Sequence, residues 1–279
     1  MAGSGKRAMP NNSNQAKRRK GQWITRSRTE IDAGDVGIFV TCDMGREKKC
    51  VAEITDILTQ AVEKDAAPVD DEESDSDDED IEAQIRRELE GLQPSQKKTR
   101  PVQAMQLDIP CVVFARFNDK SVDPVKIVHD LCLDAHANPD IKKSRYIKRL
   151  TPVTMVKKTL SVDLEEFAKE VLKPYFHSGG PPKTYAIRPT SRGNNKLNRD
   201  IIIKTVADIV GPEHPVNLKQ YDHMILVDVV QNVIGMSVVG GDYDQLKRFN
   251  VAEIYDPSPK GEDTPAKDKK EVTDKEATA

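Results

Sequence analysis

The sequence predicts a mixed α/β chain, of the α+β kind, with two sheet-and-helix units in succession between polar tails. Three observations carry that prediction. Short apolar runs alternating at period two recur along the chain, and between them lie segments with apolar residues at helical spacing. The order of these signals in the second half (helix, strand, helix, strand, strand) fits a sheet covered by helices on one face. The 279 residues are 37% apolar and 32% charged, too polar to pack throughout. About two thirds are expected to fold, because the rest cannot offset its ordering entropy.

Residues 1–32 read as a disordered basic tail, with eight Lys and Arg against one Glu over residues 1–30. The run KRRK at Lys17–Lys20 reads as a nuclear localisation signal or a nonspecific nucleic-acid arm. Residues 33–140 form the first unit. In GDVGIFVTC, Gly34–Cys42, the residues Val36, Ile38 and Val40 alternate as in a strand. From Arg46 to Val62, Val51, Ile54, Leu58 and Ala61 mark one helix face. An acidic insertion follows, at about 64–100: of the 11 residues Asp70–Asp80, nine are acidic, and such a run repels itself into a solvated loop. Ser74 and Ser76, each followed by acidic residues, are candidate phosphorylation sites. Ile81, Ile85, Leu89 and Leu92 form a helical stripe at its far rim. LDIPCVVFARF, Leu107–Phe117, reads as the second strand. In the next helix Asp123 is the cap and Pro124 the first residue, with Val125, Val128, Leu131, Cys132 and Ala135 inward. His129 lies off that stripe and is assigned to solvent. Strand, helix, insertion, strand, helix is consistent with a small ferredoxin-like or split βαβ layer, whose pairing order the sequence leaves open.

Residues 141–255 form the second unit. SRYIKRLTPVTMV reads as an extended basic connector or a strand. Leu164, Phe167, Ala168, Val171 and Leu172 share a helix face, Asp163 and Glu166 have capping-box spacing, and Pro174 closes the helix. TYAIRP is a strand. Asn198–Val210 is a helix burying Ile202, Val206 and Ile209. Val216–Leu218, Met224–Val230 and Val233–Val239 are strands, the last two joined by a turn at Gln231-Asn232. Residues 256–279 are a polar tail.

Chemistry is scarce. Cys42, Cys50, Cys111 and Cys132 form no CxxC pair and sit beside apolar runs, as buried reduced thiols do. No apolar run nears the roughly 18 residues of a membrane span, so no membrane partner is expected. His129, His136, His177, His214 and His223 stand alone, and no HExxH, GxSxG, deaminase or Walker sequence occurs. The expectation is therefore no catalytic residue, no metal and no small-molecule cofactor. Charge points elsewhere. Residues 141–220 hold 16 Lys and Arg against seven Asp and Glu. Arg188 ends a strand, Gly193 lets backbone approach closely, and Arg199 opens a helix whose N-terminus favours an anion. With few aromatics for stacking, phosphate and shape recognition of folded RNA fits better than a single-strand platform. The candidate RNA-binding residues are Arg145, Lys148, Arg149, Lys183, Arg188, Arg192, Lys196, Arg199 and Lys204.

Taken as an ordered set, RYIKRLTPVT, VLKPYF, TYAIRPTSRGNN and VNLKQYDHMILVDVVQNVIGMSVVGGDY resemble the THUMP family. More narrowly they resemble the eukaryotic stand-alone THUMP proteins that assist tRNA cytidine acetylation. The resemblance implies an N-terminal ferredoxin-like domain followed by a THUMP domain. It also implies tRNA as one partner and a separate RNA cytidine acetyltransferase as another. The product it implies is N4-acetylcytidine in serine and leucine tRNAs, with this chain as a non-catalytic adaptor in the nucleus, its nucleolus, or the cytoplasm. It places RNA contacts at Arg145, Arg149, Arg188, Arg192, Arg199 and Lys204. Two alternatives stand beside it: a THUMP-containing RNA-modifying enzyme, and an interaction hub whose acidic loop binds basic proteins.

Overall fold

The structure is a computed structural model that describes residues 30–66, 100–194 and 196–257. The insertion segment with Ser74, Ser76 and the Ile81–Leu92 stripe lies outside these residues, as do the basic run at Lys17–Lys20 and the tail beyond residue 257.

The first sheet is built from β1 (Gly37–Cys42), β2 (Val102–Gln106), β3 (Val112–Phe117) and β4 (Ile147–Val153), with α1 (Glu47–Ala66) and α2 (Pro124–Ala137) between them. Its order is β2–β3–β1–β4, antiparallel throughout. Strand alternation divides its residues cleanly. Ile38, Val40, Val113, Ala115, Phe117 and Leu150 face the helices, against Cys50, Ile54 and Leu58 of α1 and Ile127, Val128 and Cys132 of α2. Phe39, Met105, Val112, Phe114 and Val153 face the other way. Asp123 caps α2 by accepting from the Val125 amide at 2.8 Å, as its sequence anticipates.

The second sheet holds β5 (Met155–Lys158), β6 (Tyr185–Arg192), β7 (His223–Val230) and β8 (Val233–Gly240), ordered β5–β8–β7–β6. β6 runs parallel to β7; the other pairs are antiparallel. β7 is buried on both faces, which explains its near-continuous apolar run. Gln231, at a φ of 51°, makes the two-residue turn into β8. α3 (Leu164–Phe176) and α4 (Arg199–Val210) cover one face, with Phe167, Leu172, Ile202 and Val206 against Ile225, Val227, Ile234 and Met236.

The helix-free faces of the two sheets pack together. Val156, Val230 and Val233 of the second meet Phe39, Phe114 and Val153 of the first. Gly235 permits the approach, since a Cβ there would lie 2.6 Å from Val153 Cγ1. Ser237, fully buried, donates its hydroxyl to the Pro152 carbonyl at 2.7 Å. After β8 the chain crosses back: Phe249, Val251, Ile254 and Tyr255, the last three in the short α5 (Val251–Tyr255), complete the core beneath α1 and α2.

Five sequence expectations change. β2 was not anticipated, because VQAMQ lacks clear alternation. The strand expected over Leu107–Phe117 begins at Val112, and Cys111, at a φ of 65°, makes the turn from β2. The basic stretch Ile147–Val153, placed beyond residue 140 with the second unit, pairs with β1 in the first sheet. His129 is not simply solvent-facing: its Nε2 lies 2.5 Å from Asp242 Oδ2, and one third of its side chain is exposed. Val216 makes only an isolated bridge to Tyr185. Among the described residues no helix is long and apolar enough to cross a membrane.

Candidate nucleic-acid interface

β6 alternates between two environments. Tyr185 and Ile187 point to the helices, so Arg188, Thr190 and Arg192 point to the opposite face. Parallel register sets Thr190 beside Asp228 of β7, so Asp228 emerges on the arginine side one strand away. The first sheet adds Arg149, which pairs with Thr41 and shares its face with Phe39 and Val153. Three arginines from two sheets thus surround one carboxylate at the junction.

Asp228 is only 9% exposed. Burial pushes its carboxyl up to about 6, and Arg192, Arg188 and Arg149 each hold it lower than burial alone would. When ionised it neutralises one of three guanidinium charges, leaving the cluster cationic. Among the described residues no carboxylate forms an ion pair with Arg145, Arg149, Arg188, Arg192, Lys196, Arg199 or Lys204. Arg149 Nε is buried without a hydrogen-bond partner. An unpaired buried donor costs about 1–3 kcal/mol, and a phosphate oxygen is one acceptor that relieves it.

The turn after β8 borders this cluster. Asn250 bridges to the Arg149 backbone. Asp244 accepts from Arg248 Nε and from the Tyr221 hydroxyl, both at 2.7 Å, so Arg248 is neutralised locally. Lys247, Arg248 and Phe249 all have positive φ, between 53° and 58°, a left-handed turn without glycine.

The other candidates scatter. Lys196 and Arg199 are exposed just past the carboxyl end of β6, where Asn194 Oδ1 accepts from the amides of Lys196 and Leu197 at 2.8 and 3.1 Å. The α4 N-terminus, expected to favour an anion, already has Asn198 as cap and Asp200 in its first turn. Lys204 is exposed on the solvent side of α4. Arg145 and Lys49 lie over the Tyr146 ring, 5.8 and 5.4 Å from its centroid. Lys148 pairs with Asp43, which raises the lysine's pKa. Lys183 stands apart, at the opposite end of β6. Its ammonium donates to the Tyr175 carbonyl at 3.3 Å, and its amide donates to His214 Nδ1 at 3.0 Å. The structure therefore joins Arg149, Arg188 and Arg192, sets Lys196 and Arg199 at the strand end they extend, and separates Lys183.

Sequence reasoning missed Asp228 and Arg248. Asp228 carried a readable signal, as the sole charge in the apolar run Met224–Val230. The histidines serve the fold: His214 links the Lys183 amide to the Phe176 carbonyl, and His177 contacts the Ile209 carbonyl. All four thiols are free. No group of three or more metal-ligating side chains occurs among the described residues.

A family profile for the THUMP domain matches residues 161–239, the span from just before α3 to the end of β8. Over 231 residues the chain is 35% identical to an uncharacterized protein of Schizosaccharomyces pombe, covering 82% of this chain and 78% of that one. Over 252 residues it is 30% identical to the tRNA acetyltransferase TAN1 of Saccharomyces cerevisiae, covering 81% of this chain and 86% of TAN1. The chain belongs to the THUMP-domain family that includes TAN1. It is also 30% identical to THUMP domain-containing protein 1 of Bos taurus, over 90% of this chain and 72% of that protein. Within this THUMP protein, Arg188, Arg192 and Asp228 lie inside the matched domain, whereas Arg149 comes from the sheet before it.

Proposed function

We propose that this protein is a tRNA-binding adaptor that holds serine and leucine tRNAs for a separate RNA cytidine acetyltransferase forming N4-acetylcytidine. The observation that carries the reading is the convergence of Arg149, Arg188 and Arg192 on one face, with no ion pair among the described residues to consume them. The likeness to TAN1 supports a role in tRNA modification, and supplies acetylation as the reaction served. The adaptor's contribution is positioning: it fixes the substrate backbone so that a distant nucleotide enters another chain's active site. It needs no cofactor, and the reading places it in the nucleus or nucleolus.

Binding should weaken steeply with salt, because each phosphate contact contributes a slope of roughly −0.9 in log affinity against log salt. A double variant, Arg188→Ala with Arg192→Ala, should flatten that slope by about 2, measured at a temperature where its melting curve shows it folded. Unchanged affinity and slope in a tRNA gel shift would refute the site. The name of TAN1, a tRNA acetyltransferase, favours one rival, an enzyme in its own right. Purified protein incubated with tRNA and an acetyl donor alone should yield no acetylcytidine; product in that assay would establish the rival.

A further inference from the structure

A groove of about 810 Å³ runs between α1 and α2 on the helix-covered side of the first sheet. Its floor is apolar, including Ile57 and Ala61 of α1, Leu131 of α2, Ile147 of β4 and Val251 of α5. Ile57, Ala61 and Leu131 are half-buried, so among the described residues nothing fully covers this apolar surface. Arg149 lies on that sheet's other face, and Arg188 and Arg192 belong to the second sheet, so the groove and the arginine cluster are separate surfaces.

The rim is acidic. Glu53, Asp56, Asp65, Asp130 and Asp134 line it, against Lys64 and Lys143. Two of these carboxylates have cationic partners: Asp65 pairs with Lys126, and Asp134 with Lys143 at 2.5 Å. Glu53 accepts from the amides of Arg145 and Tyr146, bonds that leave its charge intact. Asp130, 60% exposed, has His129 Nδ1 at 3.8 Å, and Asp56 is exposed with no partner among the described residues. Among the described residues, Glu53 and Asp56 therefore keep uncompensated negative charge on the edge of an apolar trough, and Asp130 adds to it wherever His129 is neutral.

That combination excludes a phosphate backbone and fits a helix with one apolar face flanked by Lys or Arg. Such helices lay anchors at i, i+3, i+4 and i+7 into a trough, while rim charges steer the approach and set orientation. We propose that this groove docks a cationic amphipathic helix of the acetyltransferase chain. The inference rests on the adaptor reading above and assigns that partner a surface away from the RNA.

The test uses the full chain, tRNA and the purified acetyltransferase. One variant, Ile57→Arg with Leu131→Arg, puts charge on the floor. A second, Asp56→Lys with Asp130→Lys, reverses the rim at exposed positions. Both should lower capture of the acetyltransferase at least tenfold, with the tRNA gel shift unchanged. The rim variant's loss should shrink as salt is raised. Capture equal to wild type in the rim variant, whose fold is checked by its melting curve, overturns the proposal while leaving the adaptor reading intact. So does loss of tRNA binding, which would make the groove an RNA surface, or a wild-type dimer that the variants dissociate. A wild-type chain that captures no acetyltransferase overturns both readings.

Discussion

Replacing Asp228 by Asn should stabilise the protein at neutral pH and leave it nearly unchanged at pH 4. The Asp228 carboxyl titrates at about 6 in the folded chain, against 3.8 for an ordinary aspartate. A folded pKa raised above the unfolded one means that stability is greatest while the group is protonated. It is lost as pH climbs from below 4 through 6. The gap between the two values corresponds to about 3 kcal/mol at 1.36 kcal/mol per pH unit. For a folded unit of about 200 residues, where 1 kcal/mol moves the melting temperature by 2–4 °C, Asp228→Asn should melt about 6–12 °C higher at pH 7.5. Taking variant minus wild type at each pH cancels the other carboxylates, such as Asp134 and Asp222, whose lowered values act in the opposite direction. Scanning calorimetry at pH 4 and pH 7.5 is the assay. The same variant should bind tRNA more tightly, because it removes a negative charge from the arginine cluster. A variant that melts lower than wild type at pH 7.5 would refute the reasoning, and would mean that the arginines' attraction outweighs burial. An equal difference at the two pH values would refute it too.

Ser237→Ala should cost about 1–3 kcal/mol, because the buried Pro152 carbonyl loses its donor; urea unfolding measures it. Gly235→Ala should cost a similar 1–3 kcal/mol by forcing Val153 and Phe39 from the sheet junction, and its melting temperature reports this. Burial pushes the Cys132 thiol up to about 12 and raises Cys42 and Cys50 as well, whereas Cys111 is partly accessible. A disulfide reagent at pH 8 should therefore titrate no more than one thiol in the native protein and all four in denaturant. Four rapid equivalents in the native state would contradict the burial.

Elements with strong local periodicity were legible in the sequence. α2, α3 and α4 carry their caps at Asp123, Asp163 and Asn198, and the β7–β8 hairpin has its apolar runs and turn in place. β2 was not legible, since two of the five residues of VQAMQ are polar and its pairing with β3 is a tertiary fact. Nor was the partner of His129, because Asp242 lies 113 residues away. The candidate site was half legible. Composition drew attention to the basic stretch, but only the alternation and register of β6 bring Arg188 and Arg192 to one face. Strand geometry also explains why Lys183 separates from them: β6 from Tyr185 to Arg192 spans roughly 23 Å at about 3.3 Å per residue. The balancing carboxylate at Asp228 was hidden in an apolar run and emerges from strand register alone.

The return of Phe249, Val251, Ile254 and Tyr255 beneath α1 and α2 has a bearing on biogenesis. A ribosome adds about 5–20 residues per second, so these side chains follow Val153 by about 5–20 s. Throughout that interval the nascent first sheet carries an unfinished apolar underside, and it closes only when translation has passed α5. A stop codon or frameshift upstream of Phe249 would thus strand the earlier half as well, making it a client of chaperones and proteases instead of a self-sufficient fragment.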